Sequence, residues 1–179
     1  MSERRLHIPR LTKTVAAVMA ADQELIRKAS DWLTGELGRV DLASEPFDFN
    51  FTDYYERELG ANLIKQFFSF EPLRPPAHLV GLKRRCASYE RATRQISGGG
   101  RTVNIDPGYW SDAKLVLAST KNFSHRIAIG RRVFAEITLR FHKGSLGGLE
   151  WTYPDYLSRS ALDFFDKVRK LYFKQITNL

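Results

Sequence analysis

One cysteine, Cys86, stands in a chain of 179 residues. That scarcity excludes a disulfide framework and any cysteine-rich zinc site. It suits a reducing compartment, and a cytoplasmic location is expected. Cys86 falls in the apolar register of a predicted helix, which leaves no accessible thiol nucleophile. Neither G-x-x-x-x-G-K-[ST] nor G-x-G-x-x-G occurs, so the triplet Gly98 to Gly100 reads as a helix stop and hinge, not as a phosphate loop. H-E-x-x-H and G-x-S-x-G are missing too, which removes the common signatures of a zinc protease and a serine hydrolase. No apolar run approaches a membrane span, and no membrane partner is expected. Arg4, Arg5, Arg10 and Lys13 before Val15 to Ala21 sketch a signal peptide faintly, but the run leads into an amphipathic helix and reads as a buried strand.

What is present is the composition of one folded unit. Hydrophobic residues make up 43% and aromatic residues 12%, enough to bury a core, and residues 1–179 are expected to form a single α+β domain with 1–11 as a flexible lead-in. Lys and Arg number 28 against 20 Asp and Glu, a net charge of +8, which admits phosphorylated small molecules and RNA as partners. The densest basic patch, Lys83, Arg84, Arg85, Arg91, Arg94 and Arg101, reads as a solvated helix face.

Periodicity supplies the element order. Thr12 to Ala20 is short and almost wholly apolar, as a central strand would be. Asp22 can cap a helix whose stripe is Leu25, Ala29, Trp32, Leu33 and Leu37, ended by Gly38. Pro46 to Phe51 alternates, with Phe47, Phe49 and Phe51 on one side and Asp48 and Asn50 on the other. Leu63 to Phe70 reads as another strand. Pro75 and Pro76 open a helix with the stripe Leu79, Leu82, Cys86, Tyr89, Thr93 and Ile96. Arg101 to Asp106 predicts a strand ended by Pro107-Gly108, and Ser111 to Ser119 a short helix carrying Lys114. A hairpin follows, His125 to Gly130 and Val133 to His142, turning at Gly130 to Arg132. In its second arm Val133, Ala135, Ile137, Leu139 and Phe141 share a face. The last helix begins near Ser160 and Asp163, which resemble a capping box, and buries Ala161, Phe164, Val168, Leu171 and Tyr172.

The first six elements follow the order β-α-β-β-α-β, which predicts a ferredoxin-like core with a mainly antiparallel sheet, extended by the short helix, the hairpin and the C-terminal helix. If the Phe47, Val103 and Val133 faces all pack on helices, the opposite face gathers Asp48, Asn50, Asn104, Asp106, Glu136, Thr138, Arg140 and His142. Carboxylates and amides of this kind suit Mg²⁺, with Asp106, Glu136 and Asp48 as the candidate metal ligands. Lys121, Arg126, Arg140, Asn104 and Thr138 are the candidates for binding a phosphate, and His125 and Asp106 for moving a proton. Asp53, Tyr54, Tyr55, Trp151, Tyr153, Asp155 and Tyr156 stand on loops, where aromatic rings either stack a base or anchor the loop.

Phe51-Thr-Asp-Tyr-Tyr-Glu56, Asn104-Ile-Asp-Pro-Gly-Tyr109, Lys114 to Lys121, His125-Arg126 and Trp151-Thr-Tyr-Pro-Asp-Tyr156, in this order, resemble the bacterial and archaeal family called domain of unknown function 4416, over nearly the whole chain. The resemblance implies no particular reaction. Members sometimes carry the label "GTP-binding protein", and the missing phosphate-loop motif speaks against a conventional GTPase of that class. The residues lead to three expectations. The first is a phosphorylated ligand, such as a nucleotide, bound on the polar sheet face with or without Mg²⁺; if the protein is an enzyme, metal-assisted phosphoryl or phosphodiester chemistry suits those residues. The second is a non-enzymatic RNA-binding module. The third is a protein-interaction adaptor.

Overall fold

A computed structural model describes residues 8–52, 55–94 and 100–178. Asp53, Tyr54, Ile96, Gly98 and Gly99, named above, and most of the 1–11 lead-in lie outside the described residues. The elements are β1 (Thr12–Ala20), α1 (Gln23–Leu37), β2 (Val40–Ala43), β3 (Phe47–Asp48), α2 (Glu56–Leu59), β4 (Ile64–Arg74), α3 (His78–Ala92), β5 (Val103–Ser111), β6 (Lys114–Ser119), β7 (Ile127–Gly130), β8 (Val133–His142), β9 (Ser145–Gly148), a 3₁₀ turn (Pro154–Leu157) and α4 (Arg159–Thr177). The fold is α+β around one antiparallel sheet, with the path β2-β4-β1-β5-β6-β8-β7, β3 added to β4 and β9 to β8. No helix among the described residues is long and apolar enough to cross a membrane.

All 9 residues of β1 are buried, because β1 lies between β4 and β5 and both faces of the sheet are covered there. Ala16, Val18 and Ala20 pack with Phe68, Phe70, Val103 and Ile105 against α1 and α3. Val15, Ala17, Phe67 and Trp110 pack on the other side against Phe164, Phe165, Val168 and Tyr172 of α4. The second face is thus half covered by the C-terminal helix instead of being left to solvent. Asp22 caps α1 by accepting the Leu25 N–H at 2.9 Å, and Trp32 stacks on Tyr89 at 4.4 Å to fasten α1 to α3. Ser158, not Ser160, caps α4, accepting the Ala161 N–H at 3.2 Å.

Several expectations need correction. The strand order of the whole sheet is not ferredoxin-like, since it continues past β5 through β6, β8 and β7. Pro107-Gly108 does not end a strand, and 111–119 is not a helix. β5 runs through both residues to Ser111 and turns at Asp112, with φ 44°, into β6. Gly108 is required there: a Cβ would lie 2.3 Å from the Val116 carbonyl oxygen across the ladder.

A second correction concerns β8. Val116 faces Ile137 and Leu115 faces Leu139, so Thr138 is an extra residue opposite β6. The bulge exchanges the faces of the strand. Val133 and Ala135 pack on the α3 side, while Leu139 and Phe141 pack on the α4 side. Two donors from the loop after β9 hold it, the Trp151 indole N–H to the Ile137 carbonyl at 2.8 Å and the Thr152 hydroxyl to the Thr138 carbonyl at 2.6 Å. Alternation read straight through Ile137 therefore puts Arg140 and His142 on the wrong face.

Candidate ligand-binding cleft

β5 and β6 pair only from Gly108 and Leu117 to Ser111 and Lys114. Beyond Gly108, β5 continues beside β1 and β6 continues beside β8, so the sheet forks. The open edge of β5 is satisfied by side chains of α3. Lys83 Nζ donates to the Ile105 carbonyl at 2.9 Å, and Glu90 Oε1 accepts the Ile105 N–H at 2.6 Å. Two residues on, at the same parity, Pro107 has no N–H to leave unpaired. The fork opens into a cleft of about 700 Å³ on the α4 side of the sheet, beyond the end of the area that α4 covers.

The floor is built of countered charges. Lys65 and Asp155 form a buried ion pair at 2.5 Å, with side chains 6% and 2% exposed, and the Lys65 ammonium lies 4.6 Å over the Tyr156 ring and 5.3 Å over that of Phe49. Asp106 accepts from Lys83 at 3.3 Å and from Asn104 at 2.8 Å. Burial works to raise its pKa, but the Lys83 and Lys65 ammoniums and the Asn104 amide outweigh this and hold it below the usual carboxylate range. Glu90 goes the other way. Burial pushes its carboxyl up despite Lys83, the Ile105 N–H and Arg101, whose guanidinium is 3.0 Å away.

On the β8 side, Glu136 Oε2 accepts from Arg126 Nε at 2.7 Å and faces His125 Nε2 at 3.0 Å. Arg126 also reaches the Ser119 hydroxyl, the Lys121 carbonyl and the Tyr153 hydroxyl, which ties the 119–126 loop to the 151–155 loop. The His125 ring stacks on Trp151 at 5.0 Å and 5°. A carboxylate beside a guanidinium only accepts, so His125 Nε2 carries the hydrogen of this contact. Around the mouth stand Phe51, Phe123 and Tyr153, 40%, 66% and 44% exposed, with Trp151 half-buried between them.

Of the residues singled out in the sequence, Asn104, Asp106, Lys121, His125, Arg126 and Glu136 line the cleft. Asp48 is exposed at the sheet margin, where it pairs with Ile64. Thr138 is buried beneath Glu136, 3.4 Å from Oε1, and Arg140 is exposed on the opposite face. The shared polar face that was to unite Asp48, Asp106, Glu136 and Arg140 is therefore not formed. Among the described residues no three His, Cys, Asp or Glu side chains are placed to hold a metal ion; Asp106 and Glu136 are instead countered by Lys83 and Arg126.

Reasoning from sequence missed Lys65, Lys83, Glu90 and Arg101 as parts of the site, although a signal existed. Leu79, Leu82, Lys83, Cys86 and Glu90 form one helical stripe that is buried throughout, so two charged residues of α3 stand at core positions. Lys65 likewise occupies an inward position of an apolar strand, 5% exposed.

No curated protein and no solved structure matches the chain. One family model does, over residues 10–172, spanning every strand of the described residues and most of α4; the chain belongs to the family described as Domain of unknown function (DUF4416).

Proposed function

We propose that the cleft binds a phosphorylated ligand carrying a planar ring, a nucleotide, with the ring inward and the phosphate at the mouth. The observation that carries this reading is the division of the cleft itself: a buried floor of hydrogen-bonding groups, an aromatic rim, and a polar loop from Ser119 to Asn122 above them. Rings such as Phe51, Phe123 and Trp151 stack planar ligands. The cations of the floor are already engaged, Lys65 with Asp155, Lys83 with Asp106, Arg101 with Glu90 and Arg126 with Glu136, so the phosphate is placed at the mouth. Lys121, Thr120 and Asn122 at the mouth offer a cation and small polar side chains instead. If the site catalyses a reaction, His125, held by Glu136, serves as its acid or base. In the same reading, β2-β4-β1-β5 with α1 and α3 on one face forms a ferredoxin-like unit, extended at β5 by the strands that complete the cleft.

The test is a thermal-shift panel of nucleoside mono-, di- and triphosphates, the free nucleosides, inorganic phosphate and a short unpaired RNA, each with and without Mg²⁺. A ligand at a hundred times its Kd adds about 2.7 kcal/mol of stability, and at least one nucleotide is expected to raise the melting temperature more than its nucleoside does. A panel in which no nucleotide raises it overturns the reading. A second reading, an unpaired RNA base entering the same cleft, is favoured by exposed Arg84, Arg131 and Arg132, the first donating to the Arg131 carbonyl at 3.3 Å; a shift with RNA but no mononucleotide selects it.

A further inference from the structure

Tyr156 lies at the inner end of the cleft with 1% of its surface exposed, and its hydroxyl has no hydrogen-bond partner among the described residues. The ring is fixed between Phe67 at 5.2 Å and Phe165 at 5.8 Å, under the Lys65 ammonium. The hydroxyl therefore has no freedom to seek a partner elsewhere. Leaving a buried hydroxyl unsatisfied is destabilising, and phenylalanine would fill the same space without that cost. The groups that act on the hydroxyl are those of the cleft. After burial, which is the largest influence, the carboxylates of Asp106, Asp155 and Glu136 and the phenol of Tyr55 raise its pKa well above the ordinary tyrosine value. Tyr156 shares the lining of the cleft with Asp106, Asp155 and Glu136.

Asp106 supplies the complementary half. Its Oδ1 takes one hydrogen from Lys83 and its Oδ2 one from Asn104. A carboxylate oxygen accepts two, so each keeps one acceptor position, and the side chain remains 30% exposed. The inner end of the cleft thus offers a donor, the Tyr156 O–H, together with an acceptor, the Asp106 carboxylate, in a lining that also includes the Phe49 ring.

We infer that Tyr156 and Asp106 read the Watson–Crick edge of a nucleobase, the Tyr156 hydroxyl donating to a ring nitrogen or carbonyl and Asp106 accepting from the neighbouring N–H. This rests on the nucleotide reading and adds its specificity determinant. Every base carries an adjacent acceptor and donor on that edge, and pairing hides them, so the cleft takes only an unpaired base. A phosphate dianion has no hydrogen to give Asp106, and a bare sugar phosphate, whose hydroxyls can both donate and accept, brings no planar ring to lie among the aromatic side chains of the cleft. A site whose buried polar groups expect a partner rejects a ligand that lacks one far more strongly than an apolar pocket would.

The experiment is isothermal titration of the intact protein with adenosine, guanosine, uridine and cytidine 5′-monophosphates. Each is paired with a counterpart blocked on that edge: N6,N6-dimethyladenosine, N1-methylguanosine, N3-methyluridine and N4,N4-dimethylcytidine 5′-monophosphates. Ribose 5-phosphate is the control. Blocking the edge is expected to weaken binding at least about tenfold. Tyr156→Phe is expected to weaken the unblocked nucleotide by about tenfold and to leave the blocked one unchanged. The melting temperature of the unliganded variant should equal or exceed that of the wild type, which separates lost recognition from lost folding. Equal binding of blocked and unblocked nucleotides, binding of ribose 5-phosphate as tight as that of the nucleotide, or wild-type affinity in Tyr156→Phe overturns the inference and leaves the nucleotide reading standing. Failure of all four monophosphates to bind, in a protein that the full panel also shows to ignore nucleotides, overturns the nucleotide reading itself.

Discussion

The α4 side of the sheet has two ends made by the same strands at the same parity. At one end β1 presents Val15 and Ala17, β4 presents Phe67, β5 presents Trp110 and β6 presents Leu115, all sealed beneath α4. At the other, the same strands present Met19, Lys65, Asp106 with Asn104, and Ser119 to a cleft. Parity decides which face a residue takes, and cover decides what that residue must be. Where α4 lies overhead most positions are aliphatic or aromatic, the exceptions being Lys13, which pairs with Asp41 and donates to Gln175 of α4, and Ser69, which donates to the same Asp41. Where it ends, charged residues predominate: Lys65 and Asp155 are as buried as the core and paired with each other, and Asp106, 30% exposed, is paired with Lys83.

The largest effects should separate the two ends by their response to repair. Phe164→Ala at the covered end is expected to cost about 3–5 kcal/mol by cavity formation. Lys65→Met at the open end is expected to cost a similar amount, about 3–5 kcal/mol, by stranding the Asp155 carboxylate. The double variant Lys65→Met with Asp155→Leu should regain most of the loss, since replacing a buried pair by apolar residues is often neutral, while its nucleotide binding should not return. Urea denaturation of the single and double variants measures this, and a double variant as unstable as Lys65→Met alone would mean that the pair stabilises the fold in its own right.

Smaller effects distinguish two carboxylates within the cleft by the sign of their pH dependence. The Asp106 pKa is lowered in the folded protein. Its contribution to stability is thus present above its unfolded pKa and is lost as the pH falls through the folded value. That of Glu90 is raised, so its contribution is present below its unfolded pKa and is lost as the pH rises through the folded value. In urea midpoints followed from acid to neutral pH, Asp106→Asn should flatten the acid limb and Glu90→Gln should flatten the fall toward neutrality. The same change in both variants would show that the two groups do not hold opposite roles.

Much of this plan was legible in the residues. Apolar runs and alternation marked β1, β4, α1, α3, α4 and the β7–β8 hairpin, because burial imposes period 2 on strands and 3.6 on helices. The site was legible in part: Asn104, Asp106 and Glu136 stand out as polar residues at strand spacing, and Lys121, His125 and Arg126 as a cationic group just before a strand, and all six line one cleft. Three features escaped for physical reasons. Leu115 to Ala118 is buried on both sides, so β6 has no alternation to tell it from a helix. The bulge at Thr138 is fixed by Trp151 and Thr152 from a distant loop, and no local pattern announces the exchange of faces. The fork at Pro107 depends on α3 side chains that satisfy Ile105 in place of a strand, a tertiary substitution that only coordinates reveal.

The central claim is that a nucleotide occupies the cleft, and Trp151 is placed to report it. Of the three tryptophans, Trp110 is sealed under α4 and Trp32 stacks on Tyr89 at the α1–α3 side, while Trp151 lines the cleft against His125. Titration of the protein with the nucleoside monophosphates, followed by tryptophan emission, is expected to give saturable quenching that disappears in Trp151→Phe and persists in Trp32→Phe. Emission that no nucleotide changes saturably, or quenching that survives Trp151→Phe, would contradict the account.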